Sequence, residues 1–344
     1  MRAVIIQAHG GVDQLRYIED FPTPTPQAGE VRVRVRAAAL NRLDIWVRNG
    51  WEGIKLTLPH ILGADAAGEI DALGGGVKGI AVGDRVVINP GITLEGYDPL
   101  WEGRENLAPE FRILGEDMSG TYCEYVCVPA RNVLKLPDHV GYNESAAAAL
   151  VFLTAWHSLI TRGGLRAGES VLIVGAGGGV NSASIPIAKY AGATVYVVGS
   201  SAAKLEEAAA LGADHLIDRS LDPDWARAVY KLTGRAGVDV VVDNVGKDTY
   251  FQSIRAVKRG GRILTVGNTS GALMELDLRY VFSKQISLIG STMAPRRDFI
   301  TVMNLIFAGK LTPKVGAVYP LAEAAAAHIA LERGDVFGKI VLTV

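Results

Sequence analysis

Four branched apolar residues in succession, Val171, Leu172, Ile173 and Val174, precede a glycine run, Gly175, Ala176, Gly177, Gly178 and Gly179. A helical pattern follows over residues 182–190, and then a second apolar run over 194–198. Continuous apolar runs of this length mark strands covered on both faces, so the stretch predicts a strand–helix–strand unit of a parallel sheet. The pattern continues, with helices expected over 202–211, 224–232 and 249–257 and strands over 215–218, 238–243, 262–266 and 286–290. Such alternation specifies a doubly wound α/β sheet. Residues 1–130 follow another rhythm, with short strands expected at 3–7, 30–36, 66–72, 84–88 and 122–128 between proline and glycine turns. Val31, Val33 and Val35 alternate there with Arg32, Arg34 and Arg36, the pattern of a strand with one dry face and one wet face. A helix should begin near Asn143 and run to about Ile160. The tail predicts helices at 297–308 and 321–333 and a closing strand at 339–343, which has no place in a completed parallel sheet. The expected division is an irregular β domain from 1–152 and 294–344, and a parallel-sheet domain from 153–293.

At the glycine turn the missing side chains permit positive φ and let the backbone approach a pyrophosphate, whose charge would rest on the N–H groups of the next helix. A dinucleotide suits such a turn. The spacing departs from G-x-G-x-x-G, with Asn181 near the place of the third glycine. Charge narrows the partners: 35 Lys and Arg balance 36 Asp and Glu among 344 residues, without a basic block. Neither nucleic acid nor an anionic membrane surface is therefore an expected partner, which leaves a small-molecule substrate. The N-terminus lacks the apolar run of a signal peptide, and the run at 146–156 is well short of the ~18 residues of a span. A soluble, cytoplasmic protein is expected. Cys123 and Cys127, four apart on an expected strand, would lie about 13 Å from each other at ~3.3 Å per residue, too far for a disulfide or a shared metal. Both are expected as buried thiols. The six histidines have no ligand spacing, so no metal site assembles.

Several segments, in order, carry a resemblance to a known family. They are Gly29 to Val35, Ala37 to Asp44, Pro59 to Gly68, Val82 to Val86, the glycine turn, Leu211-Gly212-Ala213, Gly290 to Met293 and Phe337 to Leu342. Together they resemble the medium-chain dehydrogenase/reductase superfamily over essentially the whole chain. The resemblance implies a GroES-like catalytic domain, a Rossmann domain and hydride transfer in the cleft between them. It also exposes departures. The zinc-dependent members carry a ligating cysteine where this chain has Asn41, and Gly-His-Glu where it reads Gly63, Ala64 and Asp65. The cysteines of their structural zinc fall where this chain has Leu94, Tyr97, Leu100 and Ala108. Neither zinc is expected, and packing of Leu94, Tyr97, Leu100 and Trp101 would hold the second lobe instead. The nearest branch is the zinc-independent quinone oxidoreductase-like and enoyl reductase-like one.

An NAD enzyme would place Asp or Glu about 20 residues past the glycine turn. This chain offers Gly199, Ser200, Ser201 and Lys204 there, and no carboxylate. Two hydroxyls, a helix N-terminus and a lysine suit the 2′-phosphate of NADP(H), with Arg219 as a second cation. The alternative is that Ser201 caps a helix and Lys204 is solvated. Gly175, Gly177, Gly178, Gly179 and Val180 would meet the pyrophosphate. By resemblance, Thr154 lies by the nicotinamide, Asn244, Gly267, Asn268 and Thr269 line its carboxamide side, and Lys339 sits in a segment that contacts the cofactor. Without zinc, hydrogen-bond donors must meet the charge that develops on a carbonyl, which suits an activated alkene or quinone better than a simple alcohol. Asn41 is the first donor expected and Thr154 an alternative, with Asp44 orienting the segment. Trp46, Trp51 and Tyr97 are candidates for an aromatic pocket wall. Two other functions stay open: a zinc-free alcohol or aldehyde oxidoreductase, and a non-catalytic NADPH-binding protein. The strand edge at 286–289 would pair copies into a homodimer or homotetramer.

Overall fold

The apolar runs of the second half form a wholly parallel sheet in the order His215–Asp218, Thr194–Gly199, Ser170–Val174, Val238–Asp243, Val257–Thr265, Ser287–Gly290. The structure is a computed structural model that describes residues 1–93 and 98–344. It divides into two units, Met1–Leu153 with Ala294–Val344, and Thr154–Met293. In the second unit the predicted alternation is present: Val171 to Val174 are fully buried, and helices Gly179–Tyr190, Ala202–Ala210, Trp225–Leu232, Tyr250–Ala256 and Leu278–Lys284 separate the strands. Counted along the chain the strand order is 3-2-1-4-5-6, which reverses between Ser170–Val174 and Val238–Asp243. Ligands of such sheets bind at the C-terminal strand ends beside that reversal. The first helix starts at Gly179, three residues before the apolar periodicity reveals it, because its first turn is built from glycine, a half-buried valine and Asn181.

In the other unit a larger sheet runs in the order Val133–Lys135, Arg85–Ile88, Asp65–Leu73, Glu30–Ala39, Lys339–Thr343, Val315–Pro320, with Tyr125–Pro129 also paired to Glu30–Ala39. The closing strand lies antiparallel on Glu30–Ala39, with Val341 opposite Ala39. Val31, Val33 and Val35 are buried, while Arg32 reaches Asp71 at 2.6 Å and Arg36 reaches Glu69 at 2.8 Å. A side chain at Gly68 would come within 2.0 Å of the Arg34 carbonyl, so this crossing of strands tolerates only glycine.

Three expectations are corrected. The strand expected from 122 begins at Tyr125, because Gly120, Thr121 and Tyr122 instead donate their backbone N–H groups to Ile61, Gly63 and Leu62. Cys123 is buried but Cys127 is only half-buried, and both are free thiols. Leu100 is 63% exposed and so does not pack the lobe, whose visible tie is the hairpin Gly91–Thr93 with Phe111–Ile113; Leu94 and Tyr97 lie outside the described residues. The helix Tyr142–Trp156 runs on into a π-helical turn, His157–Arg162. No helix among the described residues is long and apolar enough to cross a membrane.

Candidate active site

In the Thr154–Met293 unit, Gly175 leaves its strand with φ of 95°, and the helix Gly179–Tyr190 begins with no side chain capping it. A Cβ on Gly178 would meet nothing within 4 Å, so the turn is open on that side. Asn181, in place of a third glycine, is buried. Its Nδ2 donates to the carbonyls of Val174 and Gly175, both at 2.8 Å, and its Oδ1 accepts from Nδ2 of Asn244 at 2.9 Å. Asn244 in turn accepts the Val266 N–H at 2.9 Å. These two amides stitch together the loops that follow three neighbouring strands. The Asn244 side chain, expected beside the nicotinamide carboxamide, is thus engaged within the protein. Below them Asp243 is fully buried and accepts from the N–H groups of Val245 and Gly246 and from the hydroxyls of Thr249 and Ser253. Gly246, with φ of 94°, would bring a Cβ within 2.9 Å of the Gly271 carbonyl, so its loop packs directly on the loop of Gly267, Asn268 and Thr269. Asn268 and Thr269 present exposed side chains.

At the end of Thr194–Gly199 no carboxylate follows. Ser200 is exposed, and Ser201 caps the helix Ala202–Ala210 by accepting the Lys204 N–H at 3.5 Å. The exposed Arg219 is tied to this turn, its N–H donating to the Gly199 carbonyl at 3.0 Å. Asp218, opposite Gly199 in the sheet, is a nearby carboxylate that sequence reasoning passed over. It accepts from the Ser220 N–H at 2.8 Å and hydroxyl at 2.6 Å, bonds that hold its pKa below the usual range. An open glycine turn, an uncapped helix start and two exposed polar side chains fit a dinucleotide. Thr154, in the last turn of Tyr142–Trp156, is 5% exposed, and its hydroxyl has no hydrogen-bond partner among the described residues. A buried hydroxyl without a partner costs about 1–3 kcal/mol, which a ligand can offset.

The other unit holds a buried polar network that joins segments distant in sequence. Asn41 precedes the helix Arg42–Asn49, and Asp44 in its first turn accepts the Asn41 N–H at 2.7 Å. Asp44 Oδ2 also accepts the Tyr122 hydroxyl at 2.9 Å, while its Oδ1 has no partner among the described residues. Burial pushes the Asp44 carboxyl up to about 6, against those hydrogen bonds. Burial, together with the Asp44 charge, pushes the Tyr122 phenol well above its usual value. Lys339 Nζ donates to the Leu40 carbonyl at 2.6 Å, to Asn41 Oδ1 at 2.6 Å and to Asp65 Oδ2 at 2.9 Å. Asp65 Oδ2 also accepts from Asn41 Nδ2 at 2.9 Å, and its Oδ1 accepts the Leu150 N–H at 2.7 Å. Further along, Arg48 bonds His328 Nδ1 at 3.1 Å and pairs with Glu332; burial and Arg48 push His328 down to about 3.

Two expectations change here. The Asn41 amide donates to Asp65 and to the Ala39 carbonyl, so it offers no free donor to a substrate. All three Lys339 protons are engaged, so Lys339 is a buried cross-link rather than a side chain turned to a cofactor. Trp46 and Trp51 are 37% and 44% exposed, Trp46 on the helix face opposite Asp44, and Tyr97 lies outside the described residues. Asp65, Tyr122 and Asn181 are the participants that sequence reasoning missed.

The family model described as alcohol dehydrogenase GroES-like domain matches residues 27–138, and that described as zinc-binding dehydrogenase matches residues 179–308. Crotonyl-CoA reductase of Streptomyces avermitilis is 31% identical over 361 residues, covering 94% of this chain and 81% of that protein. The chain belongs to the medium-chain dehydrogenase/reductase superfamily. Among solved members, an NAD-dependent alcohol dehydrogenase aligns with a TM-score of 0.96 at 46% identity, covering 100% of both chains. The 2-octenoyl-CoA carboxylase reductase CinF, in complex with NADP and 2-octenoyl-CoA, aligns with a TM-score of 0.90 at 29% identity, covering 99% of this chain and 87% of that one. The fold is accordingly the superfamily's pairing of a GroES-like and a Rossmann-like domain. Its catalytic zinc does not fit this chain. A metal would meet an amide at Asn41 and a methyl group at Ala64, with the Lys339 ammonium already hydrogen-bonded to Asn41 and Asp65. Among the described residues no group of three His, Cys, Asp or Glu is placed to hold a metal.

Proposed function

We propose that this member of the superfamily is an NADPH-dependent reductase of activated alkenes, such as enones and enoyl thioesters, or of quinones, and that it works without zinc. The observation that carries this reading is the saturated Lys339 ammonium where zinc-dependent members gather their ligands: it cross-links the protein but has no proton left for a substrate oxygen. Reduction of a saturated carbonyl without a Lewis acid lacks several kcal/mol of transition-state stabilisation. An α,β-unsaturated carbonyl asks less, because charge spreads into an enolate that fixed hydrogen-bond donors can stabilise. Bound NADPH supplies the hydride. Thr154, like Ser291, is a buried hydroxyl without a partner among the described residues, and its place in the helix Tyr142–Trp156 makes it the donor assigned to the developing charge. Tyr122 already donates to Asp44 and its pKa is raised, so water supplies the final proton.

NADP(H) as cofactor is supported by the exposed Ser200 and Arg219, by Lys204, by the lack of a carboxylate after Gly199, and by the NADP bound in CinF. A second reading, a zinc-free alcohol or aldehyde oxidoreductase, is favoured by the 46% identity to a protein named an NAD-dependent alcohol dehydrogenase. Pairing of copies along Ser287–Gly290 is supported by the exposed Leu278, Phe282 and Leu288 around that edge strand. Steady-state NADPH oxidation with an enone or enoyl thioester tests the Thr154 assignment. Thr154→Val should lower kcat by about 10²-fold, the scale of one lost oxyanion donor, and leave KM nearly unchanged. An unchanged kcat would remove Thr154 from the chemistry.

A further inference from the structure

Asp65 makes one contact that the chemistry above does not use. Its Oδ1 accepts the N–H of Leu150 at 2.7 Å, in the interior of the helix Tyr142–Trp156, where that N–H would ordinarily serve the carbonyl one turn back. The helix runs unbroken through this point, from Tyr142 to Trp156, so the Asp65 oxygen adds a fixed acceptor beside the ladder. The same helix widens shortly afterwards into the π-helical turn His157–Arg162, a feature that gathers at functional sites. Leu150 and Thr154 are separated by one helical turn, so an acceptor fixed at Leu150 sets the rotation and height of the turn that ends at Thr154. Asp65 is itself immobile. It is fully buried, its other oxygen is held by Lys339 and Asn41, and its carbonyl accepts the Thr121 hydroxyl at 2.8 Å. Apolar packing holds a helix more cheaply than a buried ion pair does. What the pair adds is a rigid acceptor at one chosen N–H.

We propose that Asp65, clamped by Lys339, is a positioning residue that sets the turn Leu150 to Thr154 and so aims the Thr154 hydroxyl. This inference rests on the donor role assigned to Thr154 above. The ion pair acts mechanically and takes no part in proton or hydride transfer.

The test compares neutral replacements of the whole pair, so that no lone charge stays buried. Asp65→Leu/Lys339→Met removes the acceptor at Leu150, whereas Asp65→Asn/Lys339→Met keeps an amide oxygen there. The first should lower kcat about ten- to hundredfold, the scale of a misplacement near 1 Å, with KM within about threefold. The second should recover kcat relative to the first. In a Thr154→Val background the Leu/Met pair should cause no further loss, since both changes remove one function. Should the Leu/Met pair fail to fold, Asp65→Ser/Lys339→Met makes the same comparison, because serine is too short to reach Leu150. Equal losses for the acceptor-keeping and acceptor-removing pairs, or additive losses with Thr154→Val, would overturn the positioning role and leave the Thr154 assignment standing. No effect of Thr154→Val alone would overturn both.

Discussion

Replacing Lys339 by methionine keeps an unbranched side chain one atom shorter and removes its charge, which isolates the buried ion pair of the GroES-like unit. Lys339 is 4% and Asp65 0% exposed, so neither is rescued by solvent. The substitution strands the Asp65 carboxylate with two neutral donors, the Leu150 N–H and the Asn41 amide, and takes the ammonium from the Leu40 carbonyl and from Asn41 Oδ1. Breaking a buried pair in this way costs about 3–5 kcal/mol, because the remaining charge is uncompensated. For a unit of roughly 200 residues that corresponds to a fall in melting temperature on the order of 6–20 °C. Adding Asp65→Asn should recover most of the loss, since two buried charges removed together leave none unpaired. Thermal unfolding followed by tryptophan fluorescence measures both. A Lys339→Met protein within about 1 kcal/mol of wild type, or a double variant no more stable than the single one, would refute the reasoning.

Asp44 should make stability depend on pH. Burial raises its carboxyl from the ordinary 3.8 to about 6, so its contribution to stability is fully present below about pH 4 and is lost as pH rises through about 6, with a limit near 3 kcal/mol. Asp44→Asn should lessen the fall in melting temperature between pH 4 and 7, leaving the part due to Glu116, which burial raises to about 7, and an unchanged slope would place the titration elsewhere. Lys204→Ala and Arg219→Ala should each weaken NADPH binding by roughly 1.5–3 kcal/mol and leave NADH binding unchanged, as titration calorimetry would show. Equal losses for both cofactors would remove these residues from 2′-phosphate recognition.

The elements of the Rossmann-like unit were legible because local pattern determines them: runs such as Val171 to Val174 have no stable place except a strand covered on both faces. The closing strand was legible for the opposite reason, being apolar with no slot left in the parallel sheet. Less legible was what depends on distant partners. Tyr122 was expected in a strand, yet its backbone folds over Leu62 and its hydroxyl reaches Asp44, 78 positions away. The Asn41 amide looked like a free donor until Lys339, 298 positions later, was found on its carbonyl oxygen. A signal for the pair was present: Asp65 stands in a run of small apolar residues, and Lys339 in an apolar closing strand. Two opposite charges in buried strands require each other. Asn181 carried no comparable signal, because its partners are backbone carbonyls and a second amide.

The ratio of kcat/KM for an enone or enoyl thioester to that for a saturated aldehyde, measured by NADPH oxidation in the presence of a zinc chelator, tests the central claim most directly. Zinc-independent hydride delivery to an activated alkene predicts a ratio of at least ~100, a difference of about 2.8 kcal/mol in transition-state stabilisation, unaffected by the chelator. Faster turnover of saturated aldehydes or primary alcohols, or loss of alkene reduction on chelation, would contradict it.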